Sequence, residues 1–197
     1  MAKERVGRVA PAPRFQDNFP SVHQGTRGRG LPEEDVMTGT LKPCKACGSE
    51  TKVTTFGSFR GEEGSVTVIV NGMPALVCAK NHKQFLYLDF VTRLMDFVAD
   101  PERVAPQPPA VKRGLFKKRY HCSGCDAELP VTPTGKSERT LDASFKNANP
   151  FKVVVQVALH KCAGCGREQV LSSEEVANSA FKALAHGFRA ADVHTDF

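Results

Sequence analysis

Eight side chains able to bind a soft metal ion fall in two sets of four along the 197-residue chain. The first set is Cys44 and Cys47, spaced Cys-x-x-Cys, followed by Cys78 and His82, spaced Cys-x-x-x-His. The second set is two further Cys-x-x-Cys pairs, Cys122 with Cys125 and Cys162 with Cys165. All seven cysteines are used in this way. Zinc favours four thiolate or imidazole donors at the corners of a tetrahedron, and two short loops offering two donors each close such a site. A closed site has no position left for water or substrate. Both sets therefore read as structural, and two Zn²⁺ per chain are expected.

A strict pair would place the fourth donor of the first site at Asn81, a poor zinc ligand. His82, one residue later, takes that role, the alternative being a lapsed site in which Cys78 is only a core residue. His121 and His160 each adjoin a cysteine pair and read as neighbours of the second site, not as ligands. A disulfide framework would leave one of seven cysteines unpaired. A redox dithiol sits singly at a helix start in a βαβ setting, whereas these pairs come in twos and precede strands. The chain shows no Ser/His/Asp set, no phosphate-binding glycine loop and no His-Glu-x-x-His, so no enzyme is expected.

The donors need rigid elements to hold them. In the first half, Thr51 to Phe59 and Ser65 to Val70 read as strands, with Val66, Val68 and Val70 on one face. Asn71-Gly72 signals a hairpin whose returning strand, Ala75 to Val77, delivers Cys78. Apolar residues from Phe85 to Val98 recur at helical spacing and offer a hydrophobic face to the ribbon or to a partner. In the second half, Glu128 to Thr132 reads as a short strand, Pro133 to Pro150 as loop, and Phe151 to His160 as the clearest strand in the chain. Glu168 to Leu171 returns, and Ser172-x-x-Glu175 is a capping box opening a helix that Gly187 would weaken or end. Between the paired cysteines lie 30 residues (48–77) and 36 residues (126–161). A simple ribbon has about 15–20, so an added strand or a long hairpin is expected.

The expected fold is a small, metal-stabilised α+β protein of two zinc-ribbon modules, each followed by an amphipathic helix. Residues 1–40 read as a disordered basic arm rich in Pro and Gly, 41–98 as the first ribbon plus helix, 99–114 as a Pro-rich linker, and 115–197 as the second ribbon plus C-terminal helix. Each module is small enough for its apolar core to be marginal alone. Structural zinc, which contributes roughly 10–16 kcal/mol in small fingers, would make up the difference.

The formal net charge is +6, divided as +2 over 1–43, +1 over 44–98, +4 over 99–121 and −1 over 122–197. Two thiolate-rich zinc sites would lower the total to about +3. The basic excess peaks at Lys112, Arg113, Lys117, Lys118 and Arg119, interleaved with Phe116 and Tyr120. Such a run can track phosphates and stack a base, or be a solvated linker end whose aromatics pack on the ribbon. Neither a secretory signal nor an apolar stretch of membrane-spanning length is found, and reduced thiols suit a cytoplasmic protein.

Residues 44–98 resemble the YgiT-type zinc finger, the module at the N-terminus of MqsA-like antitoxins. The resemblance is carried by Cys-Lys-Ala-Cys-Gly at 44–48, the strand Val66 to Val70, and Val-Asn-Gly-Met-Pro-Ala-Leu-Val-Cys at 70–78. It implies that Cys44, Cys47 and Cys78 are zinc ligands, with His82 displaced from the usual cysteine position. In those antitoxins a helix-turn-helix domain follows the finger. Here a second ribbon resembling generic zinc ribbons follows instead, so toxin neutralisation and operator binding are not carried over. The expected function is a non-catalytic zinc-binding interaction or adaptor module with a protein partner or self-association, and with neither a membrane nor a small-molecule substrate. The alternatives are a nucleic-acid-binding accessory factor of transcription or translation, and an antitoxin-like regulator.

Overall fold

Glycine at position 64, with φ +56°, closes the tightest hairpin of the fold. It joins β2 (Ser58–Glu63) to β3 (Val66–Asn71) in antiparallel register Glu63↔Val66. A first central turn residue at positive φ matches the right-handed twist of the flanking strands. In this computed structural model, which describes residues 42–105, 108–114 and 118–194, that hairpin does not stay within its own half of the chain. The free edge of β3 pairs with β9 (Phe151–Lys161), in register from Thr67↔Gln156 to Asn71↔Lys152. The described residues thus belong to one compact unit. The arm expected over 1–40 lies outside the described residues.

The strand placed at Thr51 to Phe59 is two, β1 (Thr51–Thr55) and β2, belonging to different sheets. Asn71-Gly72 does not fold β4 (Pro74–Cys78) back onto β3. Both edges of β3 are already taken, so Gly72 (φ +75°) turns the chain out of the sheet and β4 pairs with β1. A second sheet follows in the order β1-β4-β5-β11, with β5 at Lys83–Gln84 and β11 at Val193–His194.

Residues 133–150, expected as loop, contain β8 (Gly135–Ala143), nine residues paired along β9 from Gly135↔Leu159 to Ala143↔Phe151. Its alternation is hidden because the half-buried face carries Ser137 and Arg139, with few apolar residues to mark it. Cross-strand pairs hold its outer face: Gln156 Nε2 donates to Glu138 at 2.7 Å, and Lys152 lies 3.5 Å from Asp142. Arg139 Nη1 donates to the Ala105 carbonyl at 2.8 Å. The expected strand at Glu128 to Thr132 reduces to a single bridge, His121↔Glu128.

Helix α1 (Leu88–Val98) buries Phe90, Leu94 and Val98, so the stripe expected to face the ribbon or a partner packs largely into the protein's own core. Phe85 and Leu86 precede the helix. Asp100-Pro101 ends it and starts a four-residue helix, α2 (Pro101–Val104), as Asp100 Oδ1 accepts from the Glu102 amide. The expected linker over 99–114 therefore carries α2 and β6 (Val111–Arg113), and Val104 is fully buried. Helix α3 (Ser173–Ala190) is capped as expected, with Ser172 Oγ accepting from the Glu175 amide.

One apolar core joins both halves. β3 contributes Val66, Val68 and Val70, β9 contributes Val153, Val155 and Val157, and α1 and α3 cover them. Rings from the two halves touch directly: Phe59 and Phe85 lie 5.3 Å and 4.9 Å from Phe188, and Phe90 lies 5.9 Å from Phe151. No cysteine belongs to this core. The expectation of two small cores dependent on metal gives way to one large shared core, with a small separate cluster that includes Cys122 and Cys162.

Gly187 does not end α3, because it is the point of closest approach to β2. Its Cα faces Gly61, where an added Cβ would overlap the Ala183 carbonyl oxygen and lie 2.6 Å from the Gly187 amide nitrogen. Gly61→Ala should therefore cost about 3 kcal/mol through displaced backbone. Gly187→Ala meets Phe59 Cδ2 at 3.1 Å, and the roughly 1 kcal/mol gained in helix propensity offsets part of that strain. Chemical denaturation should rank Gly61→Ala well below Gly187→Ala; the reverse order would contradict this packing.

Candidate metal centres

Both predicted donor sets come together. In the first, the Thr51↔Cys78 register sets the loop before β1 beside the end of β4. Cys44 Sγ lies 3.5 Å from His82 Nδ1, and Cys47 Sγ lies 3.7 Å from Cys78 Sγ. In the second, one loop follows β7 (Arg119–His121) and the other follows β9. Cys122 Sγ lies 3.5 Å from Cys165 Sγ, and Cys125 Sγ lies 3.4 Å from Cys162 Sγ. Within each set the four donor atoms lie within 4.8 Å of one another. A tetrahedron with metal–sulfur bonds of about 2.3 Å has edges of about 3.8 Å, so both clusters are of a size to close on one ion. All seven cysteines are free thiols.

The loops share one construction, which explains why the fourth donor of the first centre comes late. After Cys44, Cys122 and Cys162, the residue four places on has positive φ: Gly48 (+69°), Asp126 (+62°) and Gly166 (+74°). Its amide donates back to the cysteine carbonyl, at 2.7, 3.0 and 2.9 Å respectively. The cysteine amide then donates to the carbonyl five places on, at 2.8 Å in all three loops. After Cys78 the loop is one residue shorter. Asn81 takes the positive φ (+63°) three places on, and Cys78 N donates to the His82 carbonyl, four places on, at 3.2 Å. The position of a second cysteine is thus occupied by the turn itself. The next residue is the donor, and an imidazole is long enough to reach back. Asn is among the few non-glycine residues that adopt this conformation readily.

Small residues let the second centre close. A Cβ on Gly164 would lie 3.3 Å from Cys125 Sγ, and one on Gly124 would lie 2.9 Å from the Arg167 guanidinium carbon. Arg167 packs over the first loop, with Nη1 3.4 Å from Ser123 Oγ. Gln169, on β10 (Glu168–Gln169), is fully buried; its Oε1 accepts from the Ser123 amide at 3.2 Å. Its Nε2 has no hydrogen-bond partner among the described residues. That side chain also helps lower the Cys122 thiol. Gln169 and Arg167 escaped the sequence reading, since neither carries a motif.

Thiol acidity within the clusters is strongly divided. The Ser49 hydroxyl and amide bring Cys47 down to about 6. The Gly124 amide, above all, brings Cys122 down to about 6. Burial raises Cys44. For Cys125 the Ala127 amide acts to lower the thiol, but hydrogen bonds with Cys162 and Cys165 outweigh it and push it up to about 12. Sulfurs this close cannot all ionise by themselves, and a dication at the centre removes that conflict.

The neighbouring histidines are bound elsewhere. His121 Nδ1 donates to the Asp126 carbonyl at 2.9 Å, and the buried His160 Nδ1 donates to the Pro130 carbonyl at 2.8 Å. Of the basic run, Lys112 and Arg113 lie on β6, paired with Tyr120 and Arg119 on β7, and Lys118 is exposed. Lys117 lies outside the described residues. Arg113 is 2.6 Å from Asp126, Arg119 is 3.3 Å from Glu128, and Tyr120 donates to Glu175 at 3.4 Å. Tyr120 also packs against a small second core of Ala110, Cys122, Leu129 and Cys162.

Two of those four core residues are sulfur donors, whereas the larger core has none. Stripping metal should therefore abolish amide-exchange protection in the 122–129 and 162–167 loops while leaving β3 and β9 protected. Loss of protection along β9 up to Val157 would contradict two separable cores. Because Cys125 holds its proton up to about 12, binding at the second centre must displace it. Apparent affinity there should rise at least about tenfold per pH unit between pH 7 and 8, read by chelator competition. Comparisons with protein-family models, with curated proteins and with solved structures found no match to this chain.

Proposed function

We propose that the chain is a non-catalytic zinc-binding protein that acts as a protein-interaction or adaptor module. The observation that carries this reading is closure: each centre supplies four mutually adjacent thiolate or imidazole donors, two of them buried. Three-sulfur-one-nitrogen and four-sulfur donor sets are those of structural zinc, and neither leaves a position at which water could be activated. The metals would then fix loops on a sheet that already has its own core. Apolar side chains left at the surface, Leu88 (62% exposed) and Val131 (89%), are candidates for partner contact. Among the described residues no helix is long and apolar enough to cross a membrane.

A second reading, nucleic-acid binding, draws on the exposed β6–β7 ribbon with Lys112, Arg113, Lys118 and Arg119. Both arginines already face carboxylates, which weakens the field the ribbon presents. The antitoxin-like reading rests on the family resemblance of residues 44–98.

Metal analysis of the purified chain should return two zinc ions, and His82→Ala should return one. A metal-free protein would end the zinc reading. Pull-down with light scattering should find a defined partner or self-association; a partnerless monomer would end the adaptor reading. Nucleic-acid binding would instead show log affinity falling against log salt with a slope of about −3 or steeper.

A further inference from the structure

The two centres differ in how exposed their donor residues are. In each, the residue carrying the first donor of both loops is buried and the one carrying the second is the more exposed, the outward one. In the first centre the outward donors are Cys47 and His82, both only half-exposed, so the accessible pair contains one sulfur. In the second they are Cys125 and Cys165, both exposed. An imidazole cannot form a disulfide; two neighbouring thiolates can. Charge reinforces the difference. Four thiolates around a dication carry a formal −2 and three carry −1, so the second centre is the more electron-rich.

We propose that the second centre is an oxidation site, where hydrogen peroxide joins Cys125 to Cys165 and releases the ion, while the first centre keeps its own. The inference rests on the zinc reading above. One exposed thiolate attacks the peroxide O–O bond, giving a sulfenic acid and hydroxide. The other thiolate attacks that sulfur, forming the disulfide and expelling a second hydroxide. Two sulfurs are oxidised by two electrons in all, and the peroxide is reduced. The ion is left with Cys122 and Cys162 alone, too few donors to retain it against a chelator. The new bond spans the same two loops that the ion joined, so the small core of Ala110 and Leu129 keeps a cross-link. A thiol reductant restores four donors.

The test uses the full zinc-loaded chain, hydrogen peroxide and a chromogenic zinc chelator. Metal content before oxidation checks the reading on which the proposal depends: no zinc at that stage overturns both. With two zinc ions bound, peroxide should release one, peptide mapping should find Cys125 joined to Cys165, and a thiol with added zinc should restore the second equivalent. Release of both ions together, release of neither, or oxidation appearing first at Cys44, Cys47 or Cys78 overturns the proposal and leaves the zinc reading standing. Cys165→His, which gives the second centre the outward donor set of the first, should slow release to the rate of the retained ion. Release at the parent rate would overturn it.

Discussion

Antiparallel pairing of Val66–Asn71 with Phe151–Lys161 is the interaction on which the rest of this structure depends. Each strand brings three valines to the same face, and residues from both halves of the chain bury them in one cluster. Joined, they make a sheet wide enough to seat both α1 and α3, whose phenylalanines close over it. Burial of apolar area stabilises by roughly 25 cal/mol per Å², so a core shared by two halves gains far more than two separate small ones. The close contact of Gly61 with Gly187 belongs to the same interface: with no Cβ on either side, helix and strand backbones meet.

Placing the core there changes what the metal centres have to do. They lie at strand ends, where the chain reverses, and they organise turns. Three of their loops follow one hydrogen-bonding plan with a positive φ four residues after the first cysteine. The fourth is shortened by a residue, and the choice of His in place of Cys follows from that shortening. An ion would matter most at the second centre, where Cys122 and Cys162 are half of the buried apolar cluster. The first centre, on the β1-β4-β5-β11 sheet, is anchored by strand pairing that runs to Cys78 itself.

Surface charge follows the same logic of local satisfaction. The basic stretch that stands out in the sequence becomes a two-stranded ribbon whose arginines face Asp126 and Glu128. The outer face of the larger sheet is laced by Lys152–Asp142 and Gln156–Glu138 pairs. Among the cysteines, Cys125 and Cys165 of the second centre are the exposed ones.

The eight donors were legible from sequence because metal chemistry demands particular residue types at short spacings, as were β9, from its alternating valines, and the cap at Ser172, from its box. Strand β8 was not, since its inward positions carry Ser and Arg and its stability comes from the neighbour it pairs with. Gln169 was not, because a lone buried amide has no local signature. Nor could local patterning reveal that Asn71-Gly72 sends the chain to a second sheet, or that Gly187 is a contact and not a stop. Those outcomes depend on which strand edges are already occupied and how closely two backbones approach, and only residues far apart in the chain determine either.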